Sequence, residues 1–211
     1  MARTASFARF ASRVYAQTLA TATSVKAQYT KNLVDKFNQI FEDENVAYRV
    51  DQHGGVHFLH DEEFVRNAQA TIAGLGEARY ANSLDRFESG MRAISGVSPD
   101  GKTGIRNVFE SAEGLFRVMF ESPRLTADQV ALLEPILQKR YATDVTAARA
   151  GSKLLASFKD WIEACHFYRH EPGKPDGIAQ PPLELAIHLM SVGAAFIRLL
   201  VEIDEHESAA S

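Results

Sequence analysis

The segment Trp161-Ile-Glu-Ala-Cys-His166-Phe-Tyr-Arg169-His170-Glu-Pro-Gly-Lys174 gathers two imidazoles, a phenol, a guanidinium and an ammonium within nine positions, 166 to 174. On a helix, Glu163, His166 and His170 share one side, and Arg169 follows His166 by three residues. A guanidinium clamps a phosphate through two parallel hydrogen bonds, and an imidazole moves a proton near neutral pH. Those groups suit cleavage of a ribose-phosphate link. A histidine, His166 or His170, would act as base or acid, and Arg169 would face the charge developing on phosphorus. The nucleophile would be the ribose 2′-hydroxyl, which requires no metal or cofactor. Tyr168 and Lys174 complete the candidate ligand contacts, with Arg169 at their centre. The same residues also suit a plain helix end, because cations interact favourably with the last free carbonyls. Spacing alone leaves both readings open.

Two other chemistries fit the segment less well. Glu163-x-x-His166 has the spacing used by carboxylate-bridged di-metal bundles, and Glu110 with Glu113 adds carboxylates, but no second Glu-x-x-His follows. Glu184 and His188 are four apart, so no metal site is expected. Cys165 adjoins His166 in sequence and therefore points to a different side of a helix, which suits a small core residue better than a nucleophile.

The elements that must hold this segment are helical. Phe7, Phe10, Val14, Ala22, Val25, Tyr29, Leu33, Phe37 and Ile40 recur at mostly three- and four-residue spacing, in a stretch free of proline and glycine from 6 to about 44. This predicts one long amphipathic helix, or two broken among the Thr and Ser residues at 18 to 24, with part of the apolar face available to a dimer partner. Residues 47–50 and 56–59 read as two short strands around Gly54-Gly55, a hairpin that must lie against helices to be stable. Asp61 is placed to cap a helix beginning near Glu62.

Beyond residue 76 the pattern predicts a bundle. Helices are expected at about 77–95, 102–120, 144–169 and onward from Pro181-Pro182, with a shorter segment after Thr126, whose hydroxyl is placed as an N-cap. The second carries the clearest stripe, Ile105, Val108, Phe109, Ala112, Leu115, Phe116 and Met119. The third presents Leu154, Leu155, Phe158, Trp161, Ile162 and Cys165. The last is apolar on nearly every side, as a central helix would be. The expected organisation is an N-terminal region over 1–75, a four-helix bundle over 76–205 and an exposed acidic tail over 206–211.

Composition bounds the rest. With 45% hydrophobic and 24% charged residues the chain reads as globular, and a single cysteine excludes an intrachain disulfide framework. A net charge of −4 argues against coating nucleic acid but leaves room for a basic pocket. Charge is uneven: no acidic residue precedes Asp35, while Arg3, Arg9, Arg13, Lys26 and Lys31 are basic. A presequence shares that bias, as does an ordinary basic helix that binds a partner. With no secretory signal and no run of 18 apolar residues, the expectation is a cytoplasmic protein without a membrane partner.

Residues 33 to about 205 resemble bacterial abortive-infection proteins with a HEPN-like helical C-terminal domain. The resemblance rests on Leu33-Val-Asp-Lys-Phe-Asn-Gln-Ile-Phe, Val46-Ala-Tyr-Arg-Val, Gly104-Ile-Arg-Asn-Val-Phe-Glu-Ser-Ala-Glu-Gly-Leu-Phe, Tyr168-Arg169-His170 and Pro181-Pro-Leu-Glu-Leu-Ala. It implies a mainly α, HEPN-like four-helix bundle preceded by a long helix and a hairpin. It also implies a homodimer, RNA or a nucleotide as ligand, metal-independent RNA cleavage, and a protein partner such as an antitoxin. The family signature is an Arg and a downstream His with four to six residues between them. Arg169 matches, but residues 174–176 are Lys-Pro-Asp, so that His is absent. Either His170 or His166 substitutes, or the scaffold serves binding and dimerisation in a defence or toxin-antitoxin system without cleavage.

Overall fold

The computed structural model describes residues 2–44, 46–120, 124–169 and 180–210; the side chains at 2–22, 209 and 210 lie outside this description, as do His170 and Lys174. The protein is mainly α-helical and forms two compact units, residues 1–59 and 60–211. The division falls between Leu59 and His60 and not near residue 75, because the helix that Asp61 caps packs with the bundle.

In the first unit, helix α1 (Ala2–Asp43) runs about 60 Å without a break among residues 18–24. Strands β1 (Tyr48–Val50) and β2 (Val56–Phe58) pair antiparallel, with Arg49 opposite His57. Gly54 has φ +83°, the left-handed conformation a tight reversal needs. Asp51 organises the turn. Its Oδ1 accepts from the backbone N–H of His53 and Gly55, and its Oδ2 lies 2.8 Å from His57 Nε2. The His57 hydrogen bond, then those backbone donors, hold its carboxyl at about 2, well below the usual range. The hairpin lies against α1 through Asn38, whose amide donates to Val50 O at 3.0 Å and accepts from Val50 N at 2.7 Å.

In the second unit, α2 (Glu62–Gly74) begins where Asp61 Oδ1 accepts from Phe64 N at 2.7 Å. A 3-10 turn at Ala78–Tyr80 leads into α3 (Ala81–Ile94), followed by α4 (Gly101–Phe120). A 3-10 segment at Asp128–Leu133 then enters α5 (Glu134–Arg140), with Pro135 in its first turn, and α6 (Val145–Arg169) and α7 (Leu183–Ala210) complete the bundle. The Thr126 hydroxyl caps nothing: Ala127 holds the cap position without a side-chain bond, and the Thr126 carbonyl accepts from Gln129 N instead.

Helix α4 lies along α3 and also packs against α6 and α7. Its stripe is buried as spacing predicts, with Val108, Phe109, Ala112, Leu115 and Phe116 fully shielded. Leu154 departs from expectation and is 42% exposed, because the buried edge of α6 runs through Leu155, Phe158 and Ile162. By length and composition α7 could cross a membrane over Leu183–Ser208, yet Ala186, Met190, Ile197, Leu200 and Ile203 are buried in the core.

The acidic end of the chain is helical as far as Ala210. Helix α7 continues through it, and Asp204 accepts from Tyr80 Oη at 2.5 Å while pairing with Arg79 at 2.8 Å. Burial, then the Asp204 carboxylate, push the Tyr80 phenol upward from its ordinary pKa, keeping it a donor.

Close approach of α7 to α4 and α6 depends on Gly193. A Cβ there would stand 2.6 Å from both Trp161 Cζ2 and Val108 Cγ1. Gly193→Val is therefore expected to lower stability by about 1–3 kcal/mol through overpacking, despite losing a helix glycine. A lower thermal midpoint by circular dichroism checks this; an unchanged midpoint would refute the packing account.

Candidate functional site

The candidate site is built on the last turns of α6 where they meet the middle of α4. Helical spacing brings Trp161, His166 and Arg169 to the same neighbour, Phe109. The Trp161 ring stacks on Phe109 at 5.7 Å between centroids with a 17° interplanar angle. His166 lies 6.1 Å away, tilted by 38°, and the Arg169 guanidinium carbon sits 3.3 Å from the Phe109 centroid. Both chemical residues of the helix end thus share one aromatic platform.

Arg169 is partly buried. Burial lowers its pKa from the ordinary value, while the carboxylates of Glu113 and Glu110 and the Cys165 thiol act the other way. An arginine remains charged under such shifts. Its Nη1 is buried with no hydrogen-bond partner, and among the described residues its guanidinium forms no ion pair.

The neighbouring carboxylates are committed elsewhere. Glu113 Oε1 accepts from Leu125 N at 3.0 Å and its Oε2 pairs with Arg117 at 2.9 Å; Glu110 pairs with Arg86 and Arg106. The result is a cation resting on a ring, with spare N–H capacity and no direct counter-ion among the described residues. An acceptor with several oxygens, such as a phosphate, fits that deficit.

The other sequence candidates are distributed around this pair. Tyr168 is partly buried and packs against the core, while Phe167 is 78% exposed. Glu163 is exposed. His170 and Lys174 fall outside the described residues, so the pair brought together is His166 with Arg169. No group of three or more metal-ligating side chains is present among the described residues. Cys165 is fully buried, and desolvation pushes its thiol up to about 12.

A separate groove of about 990 Å³ opens between α2 and α7, with Arg66, Asn67, Glu184, His188, Ser191 and Arg198 on its walls. None of His166, Tyr168 or Arg169 lines it. Asn67 Nδ2 donates to Ser191 O at 2.9 Å, but Asn67 Oδ1 and Arg198 Nε are buried without partners. Sequence reading noted Glu184 and His188 only for their spacing. It missed the groove because its walls come from segments more than 100 positions apart.

Half-buried His60 was also missed. Its ring lies 4.6 Å from Phe64, Nε2 is 3.2 Å from Ser95 Oγ, and burial lowers its pKa.

Cys165 supplies a direct check on the site's chemistry. Only a thiolate is an effective nucleophile, and raising a thiol's pKa keeps it neutral at pH 8. Native protein is expected to react with a chromogenic disulfide reagent far more slowly than denaturant-unfolded protein; equal rates would contradict the buried, neutral thiol. Comparison with protein-family models, curated proteins and solved structures gives no match for this chain, so the site's chemistry rests on its own residues.

Proposed function

We propose that this chain is a HEPN-like, defence-associated cytoplasmic protein that binds RNA or a nucleotide through a phosphate held at Arg169. The observation carrying the proposal is the guanidinium on Phe109, partly buried, with Nη1 unpartnered and no direct counter-ion among the described residues. Sequence resemblance supplies the family reading, and chemistry supplies the ligand class. The guanidinium carbon lies over the ring and Nη1 has no hydrogen-bond partner, so N–H capacity remains for an oxygen acceptor.

The catalytic form of this reading assigns each step to a group. His166 removes the proton from a ribose 2′-hydroxyl, whose oxygen then forms a bond to phosphorus. Arg169 stabilises the extra negative charge as the bond from phosphorus to the 5′-oxygen breaks. The departing oxygen takes a proton, a role that falls to His170, the second histidine of the segment 161–174. The products are a 2′,3′-cyclic phosphate and a 5′-hydroxyl, and no oxidant or metal enters the balance.

One observation favours a second reading, a non-catalytic dimerisation or regulatory module in the same kind of system. Arg169 already has an intramolecular partner in Phe109, and a cation on a desolvated ring contributes about 2 kcal/mol to packing.

The two readings separate with wild type, Arg169→Ala, Arg169→Lys and His166→Ala proteins, assayed in EDTA on mixed cellular RNA and by anisotropy with labelled single-stranded RNA. The phosphate reading expects RNA binding that falls roughly tenfold to a hundredfold in Arg169→Ala, with partial retention in Arg169→Lys. The catalytic form further expects cyclic-phosphate ends that disappear in His166→Ala while binding persists. No RNA binding by wild type, together with a lower thermal midpoint for Arg169→Ala, would overturn the proposal and select the structural module.

A further inference from the structure

Helix α1 carries a second unassigned surface, and its pattern identifies an occupant. Val25, Tyr29, Leu33, Phe37 and Ile40 form a continuous apolar stripe, each between 44% and 73% exposed. The hairpin does not cover it. Asn38 holds the hairpin on the adjoining face, where Val34 and Phe41 are partly covered.

The stripe is symmetric. Along the helix its positions are 7, 10, 14, 18, 22, 25, 29, 33, 37 and 40, with spacings that read the same from either end about the point between Thr23 and Ser24. Their average spacing of about 3.7 residues, close to the helical repeat of 3.6, keeps them on one side throughout. Turning an identical helix end for end therefore brings apolar position onto apolar position. Phe7 meets Ile40, and Phe10 meets Phe37. Val14 meets Leu33, and Ala22 meets Val25 near the axis; Thr18, the one polar member, meets Tyr29.

Charge selects the same orientation and register. The basic residues Arg3, Arg9 and Arg13 occupy the N-terminal third, whereas Asp35, Glu42, Asp43 and Glu44 occupy the C-terminal end. Both groups oppose the helix's own macrodipole, so α1 alone is electrostatically disfavoured at each terminus. In the antiparallel register Arg3 comes level with Glu44, and Arg13 lies within one position of Asp35. A parallel pair would instead set like charge against like.

We propose that α1 is an antiparallel self-association helix, pairing with α1 of a second copy about a two-fold axis between Thr23 and Ser24. The interface is closed and self-complementary, so it yields a dimer and not a filament. A membrane surface is the competing occupant for a basic amphipathic helix. A lipid surface requires no end-to-end symmetry, and it repels the acidic end.

The test uses the full chain. Light scattering on wild type is expected to give a dimer, and Tyr29→Glu with Leu33→Glu a monomer. Both positions are exposed, so the far-ultraviolet signal of the bundle and the Trp161 fluorescence should persist. For orientation, Val14→Cys protein is mixed with differently tagged Leu33→Cys protein and treated with a short thiol cross-linker; native Cys165 is buried and does not compete. Cross-linking only between the two variants is expected. The proposal is overturned by a monomeric wild type, by a dimer that survives the double glutamate substitution, or by cross-linking of Val14→Cys to itself. A wild type that stays monomeric and floats with anionic phospholipid vesicles would assign the stripe to a membrane surface instead.

Discussion

The indole N–H of Trp161 donates to the backbone carbonyl of Leu189 at 2.8 Å, and the centre of the bundle is organised around that bond. In a regular helix the Leu189 carbonyl already accepts from the N–H four residues on, which belongs to Gly193. A carbonyl has a second lone pair, but in a helix neighbouring side chains normally screen it. Here the screening atom is missing, because the residue that would supply it has no Cβ. The indole fits into that gap, with its Cζ2 2.6 Å from where a Cβ would stand. One backbone position thus fixes the spacing of α7 from α6, satisfies a buried polar group and seats the largest ring of the core.

From there the order passes outward through contact. Trp161 stacks on Phe109 and also lies against Phe158 and Phe196, so Phe109 has little freedom to tilt. Arg169 rests on Phe109, which gives a long and otherwise flexible side chain a defined position at the helix end. Stiff aromatic packing below and a charged group above is a means of preorganisation: on the proposed reading, less rotamer entropy would be lost on binding an anion. At the far end of α7 the Tyr80, Asp204 and Arg79 network serves a related purpose, holding acidic helix residues against the bundle although their composition reads as solvent-facing.

What was legible in the sequence was local, and what was hidden was mostly long-range. The α4 stripe, the Asp61 cap and the Gly54 reversal follow from period, side-chain chemistry and backbone freedom within a few residues, and each is present. His166 and Arg169 were legible as a pair because helical spacing sets them together. Their platform was not, since an aromatic in an apolar stripe reads only as core until a partner is placed on it. Gly193 gave no signal, because a glycine inside a helical pattern looks like a weakness until the ring filling its gap is known. The ties of Asp204 were hidden for a similar reason: its partners lie 124 and 125 positions away, beyond the reach of composition.

The position of Cys165 bears on the kind of chemistry the helix end can support. Its thiol lies one turn before Arg169, and the fold has shielded it completely and kept it neutral. Covalent catalysis through this cysteine is therefore closed, although His166 is its neighbour in sequence. The helical turn that sends Cys165 into the core sends His166 and Arg169 toward Phe109. Among the described residues the groups at the rim are then an imidazole suited to proton transfer and a cation. On the proposed reading, the nucleophile comes from the ligand. A ribose 2′-hydroxyl beside its own phosphodiester supplies one already positioned, whereas DNA, lacking that hydroxyl, could be bound at Arg169 but not cleaved by this route.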